Sequence, residues 1–145
     1  MMEASFLLPD LDDEIARPFW EFCAQGELRV QACAACGHRT HPPRPMCPEC
    51  RSTERVWLPT GGRGTIWSFV VPHPPLLPAY SPLAPFAVVI VALDDDPTLR
   101  HVGNVVAEPG APINSVDPHS IRIGEAVRVT FETVGDVALP RWLRA

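Results

Sequence analysis

The sequence contains no lysine, and all 12 basic residues among its 145 are arginine. Its 17 acidic residues give the chain a net charge of −5 at neutral pH. Because nucleic-acid binding depends on basic side chains that neutralise phosphates, this balance disfavours a nucleic-acid-binding protein. The absence of lysine by itself is consistent with a GC-rich genome and excludes no function.

The sequence also lacks a long apolar segment. Its longest apolar run, FAVVIVAL, has eight residues, which is the length of a strand and too short to span a membrane. The acidic N-terminal segment has neither the basic region nor the cleavage site of a signal peptide. We therefore expect a cytoplasmic protein, in which thiols stay reduced and disulfides are a poor explanation of the five cysteines.

No catalytic motif is present either. The sequence has no G-x-S-x-G, Walker or G-x-G-x-x-G motif, and no histidine belongs to a recognisable acid–base pair. The acidic turn LDDDP is better explained as a solvated turn than as a cation site. Cys23 lies between Glu21 and Glu27 and is interpreted as a buried apolar side chain. His73 is the best single candidate for an active-site role.

Two C-x-x-C pairs are the strongest signal that is present. Cys33 and Cys36 form the first pair, and ten residues separate it from Cys47 and Cys50. Each C-x-x-C turn directs two sulfurs to one point, and two turns provide the tetrahedral four-sulfur set that zinc or iron prefers. We predict one structural zinc per chain, because the short gap suits a zinc ribbon. Four protein ligands leave no open position for catalysis.

The cysteine segment is also a basic island. Residues 33–63 have a net charge of +3, whereas residues 1–32 have −5 and residues 64–145 have −3. The island is either a solvated surface or a site for an anion such as a nucleotide phosphate. Its arginines are Arg39, Arg44, Arg51, Arg55 and Arg63. His38 and His41 are interpreted as surface groups or as neighbours of the metal ligands.

The order of patterns predicts a mainly β protein that begins with a helix. The helix is expected over residues 10–25, in one or two pieces divided at Pro18, with Gly26 as its stop. Strand patterns follow in the segments ELRVQAC, ERVWLP, RGTIWSFVV, FAVVIVAL, LRHVGNVVA, IRIGEAVRVTFETV and VALPRWL. FAVVIVAL and LRHVGNVVA are expected to form a hairpin.

These patterns divide the chain into three predicted parts. A helical lead occupies residues 1–30, a rubredoxin-like zinc ribbon residues 31–58, and a five-stranded OB-fold barrel with a C-terminal tail residues 59–145. Six prolines exclude regular structure from residues 72–86. This loop is either a docking surface for a protein or an acyl chain, or a cover over one barrel end. The predicted partner-binding anchors of the loop and the tail are Leu76, Leu77, Tyr80 and Trp142.

Beyond these patterns, one segment resembles the front half of acyl-CoA-associated zinc-ribbon/OB-fold proteins. Its sequence is RPFWEFCAQGELRVQACAACGHRTHPPRPMCPEC. That family has P-F-W in a helix, then G-E-L, then P-P-R between two C-x-x-C pairs. GRGTIWSFVV, HVGNVV and IRIGEAVRVTF resemble its barrel strands in the same order. The resemblance extends from Pro18 to Phe131 and implies the four cysteines as zinc ligands and no catalytic residue.

The resemblance implies a non-catalytic subunit of a thiolase-superfamily enzyme that acts on CoA thioesters. Members of the family accompany two kinds of enzyme. One is acetoacetyl-CoA thiolase with hydroxymethylglutaryl-CoA synthase, and the other is the lipid-transfer-protein-like aldolases of sterol side-chain degradation. The lysine-free composition and the loop segment HPPLLPAY favour the aldolase as the enzyme that this chain accompanies. Some family members that accompany aldolases also carry a hydratase domain. The arginines expected to hold the nucleotide end of CoA are Arg39, Arg44 and Arg63.

The alternative is a nucleic-acid-binding ribbon and barrel. Such proteins place exposed aromatics between basic residues on the sheet. In this sequence Trp67 and Phe69 alternate with Thr65 and Ser68, and the barrel segment is acidic. The sequence therefore favours the enzyme subunit, with no nucleic acid and no membrane as partner.

Overall fold

A computed structural model of the chain describes residues 6–145. Its helix α1 spans Arg17–Ala24, and the strands are β1 (Arg29–Cys33), β2 (Arg39–Thr40), β3 (Arg55–Pro59), β4 (Arg63–Val70), β5 (Val88–Leu93), β6 (Arg100–Gly103), β7 (Val105–Val106), β8 (Ala126–Val134) and β9 (Val137–Arg144). Short 3₁₀ turns cover Ser81–Leu83 and Pro118–Ser120. The chain is thus mainly β, as predicted. No helix within the described range is long and apolar enough to cross a membrane.

The N-terminal helix is shorter than predicted. Residues 10–16 form turns, because the side chains of Asp10 and Asp13 accept hydrogen bonds from backbone N–H groups two residues further on, at 2.9 and 3.0 Å. Such local bonds compete with helical ones. Pro18 lies in the first turn of α1 and Gly26 ends it with φ of +78°, both as the sequence predicts.

The first sheet forms the base of the ribbon. Its strand order is β2-β1-β3 and both pairs are antiparallel. β1 pairs with β3 along its full length, from Arg29 opposite Pro59 to Cys33 opposite Arg55. This pairing places the first cysteine at the end of a strand that is anchored by the buried side chain of Val30.

The second sheet forms the barrel, in the order β6-β5-β4-β8-β9-β7. The segment LRHVGNVVA, predicted as one strand, is interrupted at Asn104 into β6 and β7. β6 pairs with β5 in the predicted hairpin, whereas β7 runs parallel to β9 with Val105 opposite Trp142. The Asn104 carbonyl accepts from the backbone N–H of Trp142 at 2.9 Å, and its side chain donates to the carbonyl of Ala87 at 2.9 Å. One interrupted strand therefore joins the two ends of the sheet, as in an OB-type barrel.

A single hydrophobic core connects the helix, the ribbon base and the barrel. It includes Phe19 and Cys23 of α1, Val30 of β1, and Ile66 of β4. The prediction that Trp142 is an exposed partner anchor is wrong, because its side chain has no exposed surface. β9 pairs with β8 throughout its length and turns this indole into the barrel.

Candidate metal centre and adjoining surfaces

The four cysteines of the C-x-x-C pairs lie together at the tip of the ribbon. The sulfurs of Cys33 and Cys50 are 3.5 Å apart, those of Cys36 and Cys47 are 3.6 Å apart, and all four lie within 4.8 Å of one another. A tetrahedral zinc with Zn–S bonds of about 2.3 Å requires sulfurs about 3.8 Å apart. The donor set and its spacing therefore fit one structural zinc, whose role is to cross-link the two turns.

Backbone geometry positions these sulfurs. In the first turn the N–H of Gly37 donates to the Cys33 carbonyl at 2.9 Å, and in the second the N–H of Arg51 donates to the Cys47 carbonyl at 3.0 Å. Both donors have positive φ, +81° and +67°. Glycine adopts this conformation without strain, whereas arginine does so only because the turn requires it.

Backbone N–H groups also favour the thiolate form of the first ligand. The N–H of Cys36, supported by that of Ala35, lowers the pKa of the Cys33 thiol to about 6. A backbone hydrogen bond at His38 favours the thiolate of Cys36, but burial and hydrogen bonds to the other thiols raise the pKa of Cys36 to about 12. Cys33 is therefore the ligand that loses its proton first, and zinc binding must displace the proton of Cys36.

A buried glutamine fixes the link between the two cysteine turns. Gln31 lies on β1, and its side-chain amide donates to the Arg44 carbonyl and accepts from the Arg44 N–H, both at 2.8 Å. Arg55 donates to the same carbonyl at 2.9 Å. The proline-rich link is thus held by side chains of the ribbon sheet. The side chain of Arg44 itself is exposed.

Two histidines stack where the ribbon meets the barrel. The imidazole rings of His41 and His101 are 3.6 Å apart between centroids and 17° from parallel, with Phe19 beside both. Burial lowers the pKa of His41 to about 4. Burial, and secondarily the charge of His41, lowers the pKa of His101 to about 3. His41 is therefore a junction residue, which excludes the first of the two predicted roles, that of a surface group.

Sequence reasoning missed this pair because its members are far apart in the chain. Nδ1 of His41 and Nε2 of His101 are buried and have no hydrogen-bond partner among the described residues. Both rings are neutral at physiological pH, so the pair acts as a packing contact between the two sheets.

The remaining cysteine lies in the core. Cys23 is 1% exposed, and burial raises the pKa of its thiol to about 12. A thiol that stays protonated cannot serve as a nucleophile at neutral pH. The interpretation of Cys23 as a buried apolar side chain is confirmed.

The acidic turn between β5 and β6 contacts the linker that joins the two sheets. A carboxylate oxygen of Asp95 accepts from the N–H of Gly61 at 2.6 Å. Asp96 accepts from the Thr98 hydroxyl at 2.6 Å, and this bond, aided by the charge of Arg39, lowers the pKa of the Asp96 carboxyl. The turn therefore holds the ribbon against the barrel.

The proposed CoA-binding arginines and the proline-rich loop lie at the surface. Arg39, Arg44 and Arg63 are all exposed, and Arg63 lies opposite Arg128 in the β4–β8 register. In the loop, Leu77 is 53% exposed, whereas Leu76 is half-buried. Tyr80 is half-buried and stacks on Phe6 at 5.0 Å. His73 is exposed.

Comparison with known families matches this architecture in both parts. The "ChsH2, rubredoxin-like zinc ribbon domain" matches residues 20–54, and the "ChsH2, C-terminal OB-fold domain" matches residues 57–132. The chain belongs to the ChsH2 family. Its ribbon is therefore a rubredoxin-like zinc ribbon, and its barrel is an OB fold.

Two relatives are hydratase alpha subunits by name. The chain is 32% identical to the "3-oxo-4,17-pregnadiene-20-carboxyl-CoA hydratase alpha subunit" of Mycobacterium tuberculosis over 92% of this chain and 42% of that protein. It is 36% identical to the "Probable enoyl-CoA hydratase alpha subunit" of Thermomonospora curvata over 84% of this chain and 35% of that protein. The chain thus spans about two fifths of the length of these ChsH2-type relatives.

Two further matches are to chains of nearly the same length as this one. The "DUF35 domain-containing scaffold protein" of Methanothermobacter thermautotrophicus is 33% identical over 74% of this chain and 73% of that protein. A chain of the solved "Ltp2-ChsH2(DUF35) aldolase" superposes with a TM-score of 0.78 and 29% identity, over 94% of this chain and 98% of that chain.

Proposed function

We propose that this chain is a non-catalytic subunit of a thiolase-like aldolase that acts on acyl-CoA thioesters in the degradation of sterols or related lipids. The observation that carries the proposal is the match to a chain of the Ltp2-ChsH2(DUF35) aldolase, which covers nearly all of both chains. The relative with a pregnadiene-carboxyl-CoA name supports a steroid substrate for the partner.

The chemistry of the chain supports an accessory role. The four ribbon sulfurs complete a closed ligand set, which leaves no open metal position for an activated water. Cys23 is buried with a raised pKa, and buried His101 is stacked on half-buried His41. These groups build the fold, and the reacting residues come from the partner.

The basic island supplies the proposed contact with the nucleotide end of CoA. Arg39, Arg44 and Arg63 are exposed, and guanidinium groups pair well with phosphates. Arg128 lies opposite Arg63 and adds a second charge at that position. The acyl end of the substrate would extend into the active site of the partner.

The proline-rich loop supplies a further proposed contact with the partner through Leu77, the exposed member of its predicted anchors. We also propose that the complex works in the cytoplasm, where the ribbon thiols stay reduced. All five cysteines are free of disulfides, which suits that compartment.

The test is an activity comparison of three samples on a β-hydroxyacyl-CoA substrate: this chain alone, an Ltp2-type aldolase subunit from the same organism alone, and the two combined. We expect no turnover by this chain and the highest turnover in the mixture. Turnover by this chain alone, or an aldolase subunit that is equally active and equally stable without it, would refute the proposal.

A further inference from the structure

The barrel is mainly apolar on its outer side between β4 and β6. A strand with one face in water normally alternates apolar and polar residues, but β5 reads VVIVAL. Val89 and Val91 of β5 have no exposed surface and point into the core. Because side chains alternate along a strand, Val88 and Ile90 point outward. A run that is apolar on both sides is typical of a strand that is covered on both sides.

The neighbouring strands extend this apolar surface. Ile90 is aligned with Val102 of β6, and Val88 is aligned with Val70 of β4. Val70 is 60% exposed and Val102 is 68% exposed, so nothing within residues 6–145 covers them. We define the outer face as Trp67, Val70, Val88, Ile90 and Val102, which surround one half-buried polar residue, Ser68, aligned with Ile90.

A cation, Arg100, lies beside the outer face. The guanidinium carbon of Arg100 is 3.7 Å from the centroid of the Trp67 ring, and the indole is 49% exposed. Arg100 is exposed and forms no ion pair with any described residue. A cation held over an aromatic ring at the edge of an apolar surface favours a partner carboxylate at that edge.

The outer face continues into a cavity of about 360 Å³. α1 lines this cavity with Trp20, the ribbon with Pro42 and Pro43, and β6 with Val102. Its walls are mainly apolar and come from all three parts of the chain. An aromatic or aliphatic side chain of a partner contributes most binding energy when it fills such a cavity within an apolar interface.

We propose that the outer face and this cavity form the surface on which the aldolase subunit docks. The inference rests on the function proposed above and locates its interface. The matching chain of the Ltp2-ChsH2(DUF35) aldolase is covered over 98% of its length, so it has no additional domain with which to contact an aldolase. The contact must therefore use the parts that the two chains share, namely the helix, the ribbon or the barrel.

The distribution of exposed apolar side chains favours the outer face as the docking surface. Of the nine large apolar side chains that are exposed in residues 6–145, three lie on this face: Trp67, Val70 and Val102. None of the other six lies on a barrel strand. The partner is expected to present an apolar strip, one inserted anchor side chain, and a carboxylate that reaches Arg100.

The experiment measures the dissociation constant of an Ltp2-type aldolase subunit from the same organism for the wild-type chain and for two matched variants. Val102→Glu places a charge on the outer face. Ile123→Glu makes the same change at a β-branched residue of equal exposure, 67% against 68%, in the loop before β8. Both positions are on the surface, so zinc content and melting temperature should stay at wild-type values.

We expect Val102→Glu to weaken binding at least 30-fold and Ile123→Glu to change it less than threefold. Leu77→Glu tests the proline-rich loop in the same assay and should weaken binding less than Val102→Glu. Tight wild-type binding that Val102→Glu leaves unchanged would overturn this inference and leave the proposed function standing. Absence of wild-type binding would overturn both. A wild-type homodimer that Val102→Glu dissociates would assign the face to a second copy and overturn the inference.

Discussion

At the residue scale, the four sulfurs determine whether the ribbon folds. Residues 33–54 contain few buried apolar side chains apart from the cysteines themselves, so the turns depend on the cross-link that the metal provides. The barrel has its own core and does not share this dependence.

Cys47→Ser should reduce zinc from one per chain to nearly none and unfold the two cysteine turns, while the far-ultraviolet signal of the barrel strands persists. Elemental analysis and circular dichroism measure the two effects. Cys23→Ala is the matched control, because it removes a thiol from the core and should keep one zinc per chain. Full zinc in Cys47→Ser, or iron at full occupancy in the wild type, would contradict the assignment.

The stacked histidines predict a dependence of stability on acid. The pKa values of His101 and His41 in the folded state, about 3 and about 4, lie below the ordinary value of about 6.5 in the unfolded chain. Above pH 6.5 both states hold neutral rings and the pair makes no contribution to pH dependence. Between pH 6.5 and pH 4 only the unfolded state gains protons, so the free energy of unfolding falls as pH falls.

His101→Phe should keep the ring stack and remove one of these titrations. The fall in unfolding free energy between pH 7.5 and pH 5.0 should then be smaller than in wild type by about 2 kcal/mol. Urea denaturation at both pH values measures it, with zinc content checked in each sample. His73→Phe changes an exposed histidine and should reproduce the wild-type difference. An unchanged difference in His101→Phe would show that the pair is not buried as described.

At the element scale, barrel closure depends on close contacts between strands. Gly64 lies on β4 between β5 and β8, where a Cβ atom would come within 2.6 Å of the Ala92 carbonyl and also contact Val91. Gly61 precedes β4, and a Cβ there would meet only the Asp95 side chain at 3.5 Å, an ordinary contact.

Gly64→Ala should therefore destabilise the protein by about 3 kcal/mol, because a backbone group in a ladder cannot move aside cheaply. Gly61→Ala should change the free energy of unfolding by less than about 0.5 kcal/mol. Chemical denaturation of both variants makes the comparison. Equal stability of the two variants would show that β4 and β5 are less closely packed than described.

Some structural elements could be predicted from the sequence and others could not. The C-x-x-C turns, the strand β1 and the helix stop at Gly26 depend on neighbouring residues, and their patterns were sufficient. The burial of Trp142 depends on the closure of the barrel through the break at Asn104, which no local pattern indicates. The apolar outer face left a local signal, the run VVIVAL, but its exposure follows from the sheet order.

At the scale of the whole molecule, the ribbon, the helix and the barrel share one core and meet around the stacked histidines. The acidic turn fixes the same junction from the linker side through Asp95 and Gly61. A shared core and junction of this kind suit the subunit role proposed above.

The most direct test of that account is to co-express this chain with an Ltp2-type aldolase subunit from the same organism and to purify the sample through a tag on one of the two. The measured quantity is the molar mass of the purified protein. Size-exclusion chromatography with light scattering should give a single peak that contains both chains, with a mass above that of either protein alone and one zinc per ribbon. Two separate peaks at the masses of the individual proteins would contradict it.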